Sequence, residues 1–357
     1  MILCSPQYGL KPNSNAGGEV YDEKILKGLA DKGVEIEIIL PYKRLYDTSQ
    51  KNWCVHYLPI PFIHRSYLFN FAIIPQLISI YKKTHFDILR IHSPYYVGIG
   101  AWLFKKLFAP KVKLVASYLH FEEKFLFNLI DYFFIKSWDH ILTISQSTKR
   151  VLTDRYKISE NKITITSPGI SDEYFSKCKK SFDNPIPSLV FCGFLNPRKN
   201  VRFLIEILND LTDQNSKLTI IGDGPQKTEL KKIAADLKVS HRIIFTGYLS
   251  MEEKLKLINK ADVFLFPSLM EGFGMSPVEA MACGIPTIVS DRGALPEVVG
   301  DGAMALPLDK NVWIKAINHL IVDKELRKSW SQKAISRANK FKWQNGIDET
   351  YKLIFNL

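Results

Sequence analysis

A chain of 357 residues, 46% hydrophobic and 24% charged, is long enough for two domains that each bury a core, and this excludes a disordered or fibrous protein. Five scattered cysteines (Cys4, Cys54, Cys178, Cys192 and Cys283) with no Cys-x-x-Cys pair offer no metal-site spacing and point to reduced thiols in a cytoplasmic setting. The formal charge of +12 lies mostly in the first half, with 22 Lys and Arg against 14 Asp and Glu through Ile170. Such a surface suits an anionic substrate, an anionic lipid or nucleic acid, and no helix-turn-helix, zinc-finger or RNA-binding signature supports the last.

The first residues, MILCSPQYGL, lack the basic stretch and apolar run of a secretory signal and read as a first strand. A polar loop over 11–19 holds Gly17-Gly18, and helical periodicity over 21–32 stops at Gly33 before a strand over 34–40. Strand, glycine turn, helix and strand in that order build parallel sheets. The two glycines read either as amide donors to a phosphate at a helix start or as a tight turn. Residues 62–83 and 97–108 are rich in aromatic and aliphatic side chains. Neither spans a bilayer, because polar residues interrupt the first and the second falls short of ~20 apolar residues. They read as core helices or as segments lying in a membrane interface with Lys105 and Lys106 toward headgroups. A strand over 113–118 leads to Leu119-His120, and another over 139–145 precedes Ser147 to Arg150. The polar, basic, proline-broken stretch 171–188 reads as a linker, with a domain boundary near Pro168.

The second half opens on a buried strand over 189–193 that turns through Asn196-Pro197-Arg198-Lys199-Asn200 into a helix. Arg198 and Lys199 thus follow the carboxyl end of a strand. Strands over 217–221 and 243–247 follow, the latter turning at Tyr248-Leu249; Gln226-Lys227-Thr228 lacks the glycines of a phosphate-binding P-loop. Residues 263–266 are apolar on both faces, so they form a fully buried parallel strand ended by Pro267. Glu271 then leads into Gly272-Phe273-Gly274-Met275, and Ser276-Pro277 reads as an N-cap and first helical position. Glycines admit a ligand close to the backbone, and the helix amides with their positive dipole end favour an anion such as a diphosphate. Glu271 and Glu279 flank that spot, and carboxylates accept hydrogen bonds from sugar hydroxyls. The combination fits a nucleotide sugar.

The Glu271-x7-Glu279 spacing around Gly-Phe-Gly, between the strand over 263–266 and the run Pro286 to Ser290 with Gly293 to Glu297, resembles the donor-binding signature of retaining glycosyltransferases of family four. That resemblance implies the GT-B architecture: two facing doubly wound α/β domains with the active site in the cleft between them. It places a first domain over 1–168, a nucleotide-sugar domain over 169–340, and a terminal segment, 341–357, returning to the first domain. It implies that Gly17-Gly18 closes over the donor diphosphate, that His120 contacts the donor sugar, and that Tyr248 and Leu249 offer backbone groups to the base. Many relatives have Gly-Arg-Leu where this chain has Phe194, so the diphosphate contacts fall to Arg198 and Lys199. No separate cofactor and no metal are expected, since the chain has no Asp-x-Asp pair; the co-substrate is a UDP- or GDP-linked sugar and the acceptor a glycan or a lipid-linked molecule. A nucleotide-sugar epimerase of the same architecture and a non-catalytic basic membrane-binding protein are the alternatives.

Overall fold

The computed structural model describes all residues except 8–9, 11–16, 42–49, 59–67, 93, 120, 122–124, 178–179 and 185, and the side chains of 125 and 126. The chain divides into two compact units, Met1–Gly169 with Trp343–Leu357, and Ile170–Lys342.

The first unit runs β1 (Ile2–Pro6), α1 (Gly17–Asp31), β2 (Glu35–Leu40), β3 (Trp53–Tyr57), α2 (Phe69–Thr84), β4 (Ile88–His92), α3 (Pro94–Leu107) and β5 (Lys113–Tyr118). It continues with α4 (Phe125–Phe134), β6 (His140–Thr143), α5 (Gln146–Arg150) and β7 (Ile163–Ile165). These seven strands form one sheet in the order β3-β2-β1-β4-β5-β6-β7, and every pairing is parallel. Ile88 to His92 are buried throughout, as expected of a central strand covered on both faces by helices.

The segments with two readings, core or membrane interface, are α2 and α3, and their inner faces are core. Ile73 and Leu77 of α2 and Val97, Ala101 and Phe104 of α3 are fully buried in one cluster. Gly100 explains how closely the two helices approach: a Cβ there would sit 1.7 Å from the Asn70 carbonyl oxygen. The Gly98-Ile99-Gly100 run is therefore a packing feature. Residues 62–67 of the first segment lie outside the described residues. Lys105, expected to face headgroups, instead pairs with Asp139 at 2.5 Å, because the aspartate also caps the Leu114 amide and holds its carboxylate beside the helix.

One buried carboxylate organises the far side of this sheet. Asp131 of α4 receives the hydroxyls of Tyr118 (2.7 Å), Tyr95 (3.1 Å) and Tyr156 (3.3 Å). Burial pushes its pKa up to about 6 against the opposing pull of those three donors.

The second unit runs α6 (Glu173–Ser176), β8 (Ser188–Cys192), α7 (Val201–Asp210), β9 (Lys217–Ile221), α8 (Lys227–Asp236), β10 (Ile243–Gly247), α9 (Met251–Lys260) and β11 (Val263–Phe266). It ends with α10 (Met275–Ala282), β12 (Thr287–Ser290), α11 (Leu295–Val299), β13 (Met304–Leu306), α12 (Lys310–Val322) and α13 (Lys324–Ala338). The strand order is β10-β9-β8-β11-β12-β13, again all parallel. Outward growth from β8 in one direction and from β11 in the other makes this a doubly wound sheet. The last helix, α14 (Trp343–Phe355), belongs to the first unit and packs on α1, with Gly28 making room for the Ile347 side chain.

The thiols differ from the all-reduced expectation. Cys4, Cys54 and Cys192 are free, whereas Cys283 is disulfide-bonded, and Cys178 lies outside the described residues. The sequence spacing, with no Cys-x-x-Cys pair, did not signal a bridge at Cys283.

Candidate active site

In a doubly wound sheet the crevice for a ligand opens at the carboxyl ends of the two strands where the order reverses. In the second unit those strands are β8 and β11. After β8, the Asn196 side chain caps the Lys199 amide at 3.2 Å, Pro197 starts a single 3-10 turn, and Asn200 in a left-handed conformation (φ 53°) hands the chain to α7. This fixes Arg198 and Lys199 at the strand's mouth. After β11, the Leu269 amide donates to the Arg198 carbonyl at 2.8 Å, so the two loops are stitched backbone to backbone.

The side chains complete the join. Lys199 Nζ lies 2.6 Å from Glu271 Oε1, and Arg198 Nη1 lies 2.9 Å from Oε2. The Ser268 hydroxyl is 2.7 Å from Glu271 Oε1, and Lys199 Nζ also sits over the Phe266 ring at 4.7 Å. Glu271 is 8% exposed and Lys199 12%, while Arg198 keeps 39% of its side chain in solvent. Burial alone would raise the Glu271 pKa, but the Lys199 and Arg198 charges and their hydrogen bonds hold it below the ordinary carboxylate value. Burial lowers that of Lys199 despite the carboxylate beside it. Two cations on one carboxylate leave the cluster with a net positive charge, and Arg198 presents it to solvent.

The helix that follows this loop starts two residues before the expected position. Gly274, with φ 95° and no side-chain cap hydrogen bond, is the N-cap of α10; Ser276 is the second helical residue, not the cap. A serine is disfavoured in the left-handed conformation that the turn demands, and glycine is not. The first amides of α10 are thus free of a capping side chain. Phe273 does not offer its ring to a ligand: it is buried at 3% exposure and packs edge-on against Phe341, centroids 5.2 Å apart. Gly272 and Met275 bracket the turn with only partial burial.

Two family models match end to end: residues 16–174 match Glycosyltransferase Family 4 and residues 175–337 match Glycosyl transferases group 1. The chain belongs to glycosyltransferase family four. An uncharacterized glycosyltransferase of Methanocaldococcus jannaschii is 29% identical, with 94% of each chain covered. The O-antigen chain mannosyltransferase of Salmonella typhimurium is 27% identical over 66% of this chain and 64% of its own. Among solved structures, the Anabaena protein HepE, in complex with UDP and glucose, superposes with a TM-score of 0.79 at 17% identity over the full length of both chains. The fold is GT-B.

The other sequence-predicted residues of the glycosyltransferase divide by location. Glu279 lies on α10, held by Lys254 of α9 at 3.1 Å, and Lys254 also stacks over the Tyr174 ring at 5.1 Å. Burial would lower the Lys254 pKa, yet the Glu279 charge keeps it raised. Cys192, at the end of β8, shares a side-chain hydrogen bond with Ser276, and burial pushes its thiol up to about 11. Tyr248 and Leu249 follow β10, which β9 separates from β8; the Tyr248 side chain is 60% exposed. In the first unit, Gly17 and Gly18 open α1, and His120 lies outside the described residues.

Sequence reading missed Ser268, Lys254 and Cys192 at this site. It also missed a buried trio in the first unit, where Asp22 of α1 bonds Arg90 of β4 and stands 3.1 Å from His92 Nδ1. Burial would raise the Asp22 pKa, and the Arg90 and His92 charges hold it low. Apart from Ser268, three residues before Glu271, these contacts join different elements, such as Asp22 of α1 with Arg90 and His92 of β4 and Lys254 of α9 with Glu279 of α10, so no local motif announces them.

Proposed function

We propose that this glycosyltransferase moves a hexosyl group, with retention of anomeric configuration, from a UDP- or GDP-linked sugar to a hydroxyl of a glycan or lipid-linked acceptor. The observation that carries this reading is the Lys199–Glu271–Arg198 cluster beside the uncapped start of α10, at the switch point of the second unit. The departing nucleoside diphosphate develops negative charge, and Arg198, Lys199 and the α10 amides stabilise it without a metal. Glu271 orients both cations and accepts a hydroxyl of the transferring sugar, and Glu279 accepts from the ribose. Gly17-Gly18 contributes amides to the diphosphate and His120 a contact to the sugar. The UDP and glucose bound to HepE and the O-antigen activity named for the Salmonella relative support the donor and acceptor classes.

Incubating the enzyme with UDP- and GDP-hexoses, with and without a lipid-linked saccharide, tests the reading. Nucleoside diphosphate release with acceptor, and an NMR coupling constant showing the donor's anomeric configuration in the product, is the expected result. A new nucleotide sugar formed from donor alone identifies an epimerase instead.

A second observation favours a membrane-bound acceptor. Leu107, Phe108, Tyr132 and Phe133 of the first unit are exposed by 49–75%, in the half of the chain that carries the basic excess. No helix among the described residues is long and apolar enough to cross a membrane. We infer peripheral attachment to an anionic surface, where each nearby basic residue contributes ~1 kcal/mol. Flotation with anionic but not neutral vesicles, weakened by Phe133→Ser with Lys106→Glu, is expected; no flotation with either lipid argues for a soluble acceptor, and flotation unchanged in that variant removes Phe133 and Lys106 from the contact.

A further inference from the structure

The outer edge of the first sheet gathers three metal-ligating side chains that take no part in the donor site. Strand β3 is the terminal strand and pairs with β2. In that parallel ladder Glu37 stands opposite Cys54, and Ile39 opposite His56. Side chains two apart on a strand point to one face, so Glu37, Cys54 and His56 share a face. Their ligand atoms, one oxygen, one sulfur and one ring nitrogen, all lie within 4.8 Å of one another. His56 Nε2 already hydrogen-bonds a Glu37 oxygen. The Glu37 side chain is 12% exposed and that of His56 24%, while Cys54 is exposed, so the cluster is backed by protein and open on one side. On the next strand inward, the buried Cys4 of β1 is the register partner of Glu37.

We propose that Glu37, Cys54 and His56 bind a zinc ion. A thiolate, an imidazole and a carboxylate are the three donor types zinc accepts, at bond lengths of ~2.0–2.3 Å that place neighbouring ligands about 3–4 Å apart. Regular, paired strand backbone holds the three Cα positions. Water fills the fourth position, facing solvent. The ion clamps the edge strand β3 to β2, where unpaired backbone groups otherwise leave the sheet open.

Cobalt titration of the full chain, stripped with chelator, is the test. One cobalt per chain, a thiolate-to-cobalt charge-transfer band in the near ultraviolet, and displacement by zinc are expected. Cys54→Ser should abolish the band and His56→Gln should weaken cobalt binding by roughly tenfold or more, with the circular dichroism of both variants unchanged. Among the described residues the other free thiols, Cys4 and Cys192, are buried, and loss of the band in Cys54→Ser ties it to Cys54. Absence of the band in the wild-type protein, or a band that survives Cys54→Ser, overturns the proposal and leaves Glu37–His56 as a plain ion pair.

Discussion

Lys199 Nζ and Glu271 Oε1, 2.6 Å apart, join the loops at the carboxyl ends of β8 and β11, the two strands between which the second sheet changes direction. A carboxylate and an ammonium buried together are costly to separate, because either alone remains a charge in a poorly solvated place. Glu271 neutralises and aims the two cations, and on the proposed reading it also presents an acceptor oxygen to the transferring sugar.

Both jobs fail in Glu271→Ala. Turnover is expected to fall by on the order of 10²–10³, as for the loss of one transition-state contact. Stability is expected to fall by about 3 kcal/mol, the lower end for breaking a buried pair, since Arg198 is 39% exposed and partly screened. Activity assays with thermal unfolding read both; a variant with wild-type turnover removes Glu271 from the site.

On the proposed reading, Glu279, paired with Lys254, acts on the binding of the donor rather than on its departure. Glu279→Gln and Lys254→Met are expected to raise the donor KM severalfold while kcat changes little, the signature of a contact felt equally in ground and transition states. Steady-state kinetics at saturating acceptor check this, and an unchanged donor KM excludes the pair from the ribose.

Gly274→Ala tests the turn into α10. With φ at 95° and Leu295 Cδ2 only 2.6 Å from the new Cβ, the variant is expected to lose about 1–2 kcal/mol or more. Donor affinity is expected to fall with it, because the helix amides are displaced. Wild-type melting behaviour contradicts the geometry.

Asp131 makes stability depend on pH. Its pKa in the folded chain is about 6, above the unfolded carboxylate value near ~4, so the native state binds the proton more tightly. The contribution is fully present below the unfolded value and is lost as pH rises through about 6. Asp131→Asn is expected to flatten the melting profile between roughly pH 4 and pH 7. An unaltered profile assigns the dependence elsewhere.

The contrast between Glu271 and its partners shows what a sequence exposes. The motif loop was legible because its signals are local: Pro267 stops a strand, Gly272 and Gly274 allow a turn, and Pro277 fits a first helical turn. Serine is a strong capping residue, so Ser276 took the place that a left-handed glycine holds at Gly274. Which cation meets Glu271 was open to inference only through the resemblance, because Lys199 is 72 positions away and the contact depends on how β8 and β11 lie side by side. Asp131 was unreadable for a related reason. In the apolar run Phe125 to Phe134 the single carboxylate points inward to three tyrosines from β5 and other elements, while Tyr132 and Phe133 face solvent. Periodicity alone would have it reversed.

The most direct test of the central claim is isothermal titration of UDP and GDP into the wild-type protein, Lys199→Met and Glu271→Gln. The account predicts one nucleoside diphosphate per chain and affinity at least tenfold weaker in Lys199→Met, where the diphosphate loses a charge-assisted contact. Equal affinity for wild type and Lys199→Met, with the variant folded, would contradict it and place the nucleotide away from the β8–β11 switch point.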